Sequence, residues 1–322
     1  VTQAISTARR WISQGRADIP LPGVGATAAR WDVLRQLARE DLPAARMIEA
    51  HADAVAICAE LRLEQRPQAD SLWAVWAAEP PTPVVHAHFH EGQWKLTGTK
   101  PWCSGAGYAT HALVTARAGE GSRLFAVDLR QPGVSAGSLR WAAAGMTQTA
   151  TGEVHFDNVT ASAAGTPSSY LDRPGFWHGG VGVASCWWGG AQGLVDILRL
   201  TIAASQRLRN NPHTLAHLGA CLSWDAVITG ALDSAAQDLD AAPEDLAAAR
   251  QRAFAVRSMV ERACTDVVHR FGRALGATPF ARDERAAQRL QDLQVYIRQS
   301  HAEADDVELA ELVLAEDTEV TR

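Results

Sequence analysis

The chain has 322 residues, 47% of them hydrophobic, and a formal net charge of −6. That length can bury a large core in two or three packed subdomains, and an acidic balance with arginines scattered among carboxylates gives no electrostatic footing for nucleic acid. The cysteines Cys58, Cys103, Cys186, Cys221 and Cys264 are odd in number and too widely spaced for a zinc site or a disulfide framework, so they read as buried thiols in a reducing compartment.

Residues 1–63 read as helix, with 28–37 and 42–61 rich in Ala, Leu and Arg and a break at Pro20, Pro22, Gly23 and Gly25. From Leu72 to about Asn158 the pattern changes to short strands and turns: 84–89, 94–99, 111–115, 123–128 and 153–156. In the stretch from Gln93 to Ala116, alternation puts Trp94, Leu96 and Gly98 on one face of a strand and Lys95, Thr97 and Thr99 on the other. Trp102 follows where the chain leaves the sheet, beside a small-residue loop at Ser104, Gly105 and Gly107. A tryptophan next to a hydroxyl and glycines can stack on a flat heteroaromatic ring while Ser104 and loop amides meet its polar edge. Ordinary core burial is the competing reading of the same residue.

His86, His88 and His90 alternate along one strand and face the same way. Val85, Ala87 and Phe89 supply the apolar face, so the histidines fall on the solvent side. No carboxylate or cysteine lies nearby in sequence to complete a metal site, and none is expected.

After Gly175 the chain reads as helix to its end, entering through Gly179-Gly180-Val181-Gly182, whose glycines suit tight helix packing. Asn211 before Pro212 is a helix start signal. A helix beginning near Pro243 repeats its apolar positions Ala253, Val256, Val260, Cys264, Val267 and Phe271 three and four apart. A last pair spans 283–300 and 302–314, and residues 176–316 should form an antiparallel bundle. No apolar run of membrane length and no signal-peptide core are read from the sequence, so cytoplasm is the expected location.

The run Gly92-Gln93-Trp94-Lys95-Leu96-Thr97-Gly98-Thr99-Lys100-Pro101-Trp102-Cys103-Ser104-Gly105 resembles the middle β-domain of the acyl-CoA dehydrogenase family. Leu124 to Asp128 with Pro132-Gly133-Val134 is similar to that domain's next strand and turn, and Gly145 to Val159 to a later segment. Trp76 to Pro80 resembles the family's T-E-P turn, with Ala78 in the threonine position and the usual glycine-serine-aspartate missing after Pro80.

The resemblance implies an α+β fold in three parts: a shortened helical domain at 1–71, a β-barrel-like domain at 72–160 and a four-helix-type bundle at 161–322. It also implies FAD at the junction of the last two, contacted by Trp102, Cys103 and Ser104. Arg207, followed by His217, is similar to the stretch that meets the cofactor pyrophosphate across a subunit interface. Phe271-Gly272-Arg273 resembles the turn near a partner's adenine, with Arg273 in place of a glycine. A homodimer or homotetramer would follow, with an acyl-CoA, an acyl carrier or a related small molecule as substrate.

The family's usual catalytic glutamate follows a tyrosine that aligns with Tyr296, which puts Ile297 in its place. His178, His301 and Glu303 are the remaining candidates for a proton acceptor. The first expectation is therefore an FAD-dependent oxidoreductase with weak or altered dehydrogenase chemistry. A flavin-dependent monooxygenase of the same fold and a non-catalytic flavin-binding scaffold are the alternatives.

Overall fold

The computed structural model describes residues 1–68, 70–119, 121–137 and 141–320. The chain is α+β, with a middle β-domain and C-terminal helices, and it divides into two compact units. The N-terminal helices, expected as a domain of their own, are shared between them.

One unit comprises residues 1–21, 43–142 and 147–176. It contains α1 (Gln3–Ser13), α3 (Leu42–Glu60) and seven strands: β1 (Trp73–Trp76), β2 (Val85–His90), β3 (Gln93–Cys103), β4 (His111–Ala118), β5 (Gly121–Asp128), β6 (Val134–Ala136) and β7 (Gly152–Ala164). All five expected strands are present, while β1 and the three-residue β6 are too short to stand out by alternation.

β4 pairs along its whole length with β5, and its other edge takes β1 first and then β2 at the single pair His86 and Arg117. From β2 the order runs through β3 and β7 back to β5, which closes the sheet on itself. Inside lie Trp76, Val85, Leu96, Phe125, Val127, Phe156 and Val159. The opposite face of β4 and β5, through Leu113, Leu124 and Ala126, packs on Ala54, Ile57 and Cys58 of α3. Burial on both faces explains why β4 begins as a continuous apolar run. Helix and sheet are also tied by the Trp73 amide, which donates to Nδ1 of His51 at 3.2 Å.

The second unit comprises residues 22–42, 143–146 and 177–322. Its helices are α2 (Thr27–Glu40), α4 (Pro174–Ala203, entered from the first unit), α5 (Gln206–Arg209), α6 (Pro212–Ala241), α7 (Leu246–Leu275), α8 (Thr278–Arg282), α9 (Glu284–Tyr296) and α10 (Glu303–Val320). Asn211 caps α6 as expected, its side chain accepting from the His213 and Thr214 amides, with Pro212 in the first turn. Trp187 and Trp188 of α4 are fully buried, and Asp225 of α6 accepts from the Trp188 indole at 3.3 Å and from Gln192 at 2.6 Å.

α6 corrects one expectation from sequence. By length and composition it is apolar enough to cross a membrane, and only 17% of its most apolar window is buried. Its Asp225 bonds anchor it in the bundle, and Leu215, Leu222 and Val227 stand exposed along it.

Candidate functional site

The site in the β-unit is made by a bulge. The β3–β7 ladder shifts register once between Leu96 and Gly98 and again between Lys100, paired with Val154, and Cys103, paired with Gly152; at the second shift β3 holds one extra residue, at Pro101 and Trp102. Trp102 takes the left-handed conformation, φ +60°, which a bulky side chain adopts only at a cost on the order of 1 to 3 kcal/mol. The bulge turns the indole outward, where it is 62% exposed and meets Trp141 edge to face with centroids 6.2 Å apart. An aromatic ring kept in solvent by a strained backbone is not core packing.

The next residue turns the other way. Cys103 is fully buried among the barrel residues, its thiol 3.2 Å from the Lys100 carbonyl, and burial pushes its pKa well above the ordinary thiol value. Only its backbone reaches the loop that follows.

That loop is held from behind. The Gly105 amide donates to the Thr149 carbonyl at 2.8 Å, the Ala106 amide to Ala150 at 3.2 Å, and the Trp76 indole to the Ser104 carbonyl at 3.0 Å. Thr151 donates its hydroxyl to Ser104 Oγ at 3.2 Å and lies 2.7 Å from the Thr149 hydroxyl. Because Ser104 Oγ is an acceptor in that bond, its own proton is left to donate elsewhere. Trp102 lies exposed at the end of β3 and Ser104 in the loop that follows it. The supporting residues Trp76, Thr149 and Thr151 and the neighbour Trp141 escape sequence reading, because they arrive from distant strands and turns.

The helical unit carries the other expected residues. His178 is buried, and its Nε2–H donates to the Pro243 carbonyl at 2.9 Å. His301 is exposed just before α10, its Nδ1 3.3 Å from buried Asp305, which also accepts from the His301 amide. Glu303 is exposed on the first turn of α10. Ile297 is buried in a 3-10 turn that follows α9.

One turn earlier, the buried carboxylate of Asp292 accepts from the Met146 amide at 2.6 Å and from Gln288 at 2.8 Å, and burial raises its pKa. Arg207 is exposed on α5, Phe271 is 1% exposed in the bundle core, and Gly272 packs beside Phe280. Nearby, His213, His217, His269, Arg270 and Arg273 lie together. Burial and then these neighbours lower the pKa of His217, whose Nδ1 is buried and without a hydrogen-bond partner among the described residues. The spacing of 213 with 217 and of 269 with 273 is the sequence signal for that face.

Residues 79–159 match the family described as acyl-CoA dehydrogenase, middle domain. No curated protein matches the chain. Among solved structures, dibenzothiophene monooxygenase TdsC from Paenibacillus sp. A11-2 is 17% identical with a TM-score of 0.79, covering 98% of this chain and 96% of that one. Methanesulfinate monooxygenase MsuC from Pseudomonas fluorescens is 18% identical, TM-score 0.76, covering 98% and 95%. KijD3, solved with FMN and an amino-keto dTDP-sugar, is 20% identical, TM-score 0.74, covering 99% and 92%. Residues 79–159 thus match the middle domain of that family, and the fold of the chain is the one these solved structures share.

Trp102→Ala should weaken flavin binding several-fold without abolishing it, since a stacked ring contributes on the order of 0.5 to 1.5 kcal/mol beyond burial. Quenching of flavin fluorescence in a titration gives the affinity. Unchanged affinity would remove Trp102 from the site.

Proposed function

We propose that this chain is a flavin-dependent oxidoreductase of the oxygen-using kind and not a functioning acyl-CoA dehydrogenase. The observation that carries the reading is Ile297, a buried hydrocarbon at the position where the resemblance puts the base. Asp292 already accepts two hydrogen bonds, and His178 spends Nε2–H on a carbonyl. The match of the middle domain supports a flavin, and the monooxygenases of the same fold support the use of oxygen.

The residues present fit a flavin ring. Trp102 offers an exposed indole face, Ser104 a hydroxyl proton, and the Gly105 loop a narrow rim backed by Thr149 and Thr151. Bound there, the flavin would supply two-electron redox chemistry that no side chain can perform. Trp102 would hold the ring, Trp141 would fix the angle of Trp102, and Ser104 would donate to the ring's polar edge.

FAD is the cofactor implied by the resemblance, whereas TdsC and KijD3 have been solved with FMN. The two differ by an adenylate. Arg273 standing for a glycine in the turn tied to adenine favours FMN. The exposed apolar positions of α6 and the arginines Arg270 and Arg273 beside His217 support a homo-oligomer whose partner supplies phosphate contacts. Light scattering is expected to show a dimer or tetramer, and a stable monomer that retains flavin would contradict it.

A further inference from the structure

The sequence contains two lysines, Lys95 and Lys100, both on β3, while every other cationic chain of this kind is arginine. Lys95 reaches the surface and donates to Thr160 Oγ1 at 2.7 Å. Lys100 is 4% exposed and donates to both the carbonyl and Oγ1 of Thr115, each at 2.7 Å. The split between β2 and β4, which meet only at His86 and Arg117, leaves the opening that it fills.

Two acceptors match the two N–H bonds of a neutral amine, so an ammonium would hold a third N–H for which no hydrogen-bond acceptor is found among the described residues. Burial lowers its pKa to about 8, with Glu79 and then Cys103 opposing the shift. At about pH 7.5 roughly a quarter of such an amine is neutral, against about one part in a thousand for an ordinary lysine. Lys100 also lines a small surface cleft, open to solvent, with Ala78, Glu79, Pro80, Val84 and Arg117. The Arg117 guanidinium makes no hydrogen bond or ion pair among the described residues, and Glu79 accepts from the Ser122 hydroxyl at 2.6 Å. Alanine, proline and valine side chains line it beside the Arg117 guanidinium and the Glu79 carboxylate.

We propose that Lys100 is a covalent carbonyl-capture site, whose amine condenses with a small 2-oxo acid held by Arg117. The nitrogen lone pair adds to the carbonyl carbon to give a carbinolamine. That species loses its hydroxyl with a proton as water and leaves an imine, with no net oxidation. Glu79, on the same cleft, is the carboxylate that would pass the proton. The site uses neither Trp102 nor the loop at Ser104, so it stands apart from the flavin reading.

The test is to incubate the native protein with glyoxylate and cyanoborohydride at about pH 7.5 and to map adducts by peptide mass spectrometry. Lys95 and the chain's amino terminus serve as internal controls. Carboxymethylation of Lys100 at least several-fold above Lys95 is expected. Arg117→Ala should lower the yield with glyoxylate but not with acetaldehyde. Adducts confined to Lys95 and the amino terminus, with Lys100 labelled only after denaturation, would overturn the proposal. Because the mapping is done on the unmutated chain, it does not depend on whether Lys100→Arg folds.

Discussion

Mixed without oxygen with saturated acyl-CoA substrates of several chain lengths, the flavin-loaded protein should keep its visible absorbance. A positioned general base contributes roughly 100-fold to 10,000-fold to proton abstraction, and a branched hydrocarbon at position 297 contributes none of it. The candidates for a replacement differ in where they stand. His178 is buried with Nε2–H committed to Pro243, while His301 and Glu303 are exposed at the start of α10, His301 beside Asp305. The absence of the usual glycine-serine-aspartate after Pro80 acts in the same direction, because that segment would ordinarily help to seat a thioester. Rapid bleaching that disappears on replacing His178, His301 or Glu303 would show that one of them performs the abstraction.

The second large effect is on stability. Gly98 lies in the middle of β3 at φ +127°, and a Cβ added there would sit 2.2 Å from the Val84 carbonyl oxygen. Its neighbour Thr99 donates its amide to that same oxygen at 3.3 Å, so the backbone there is fixed by its own hydrogen bond. Gly98→Ala should cost on the order of 3 to 5 kcal/mol, from backbone strain and overpacking together. Gly92 is a control that separates the two, since it has a positive φ of 78° but nothing within 4 Å of the place a Cβ would take. Gly92→Ala should cost only about 1 kcal/mol. Urea unfolding midpoints of the two variants decide it, and equal losses would show that the contact with Val84 is relieved cheaply.

Much of the fold is legible in the sequence because its signals are local. Asn211 before Pro212 announces α6, the spacing from Ala253 to Phe271 announces α7, and alternation finds the five longer strands. What escapes is decided by distant partners. β1 is four residues long and exists because β4 offers it an edge, and nothing near Trp73 indicates that pairing. The way the N-terminal helices are shared depends on packing, so α2 and α3, adjacent in sequence, fall largely in different units.

The same division holds at the site. Trp102 and Ser104 are visible as a tryptophan beside a small-residue loop, but the bulge that turns the indole outward is a register shift against β7, with no sequence mark of its own. The burial of Cys103 follows from that shift, because each residue after it points to the opposite face. Lys100 falls by alternation on the face of Leu96, opposite Lys95, but the Thr115 acceptors that hold its amine come from β4 and have no mark near it in sequence.

The most direct measurement is oxygen uptake by the purified chain after titration with FMN or FAD and chemical reduction of the bound flavin. Saturable flavin binding is expected, with consumption of oxygen as the reduced protein reoxidises, while acyl-CoA leaves the oxidised protein unbleached. A chain that takes up neither flavin, or one whose flavin is reduced by acyl-CoA and left untouched by oxygen, would contradict it.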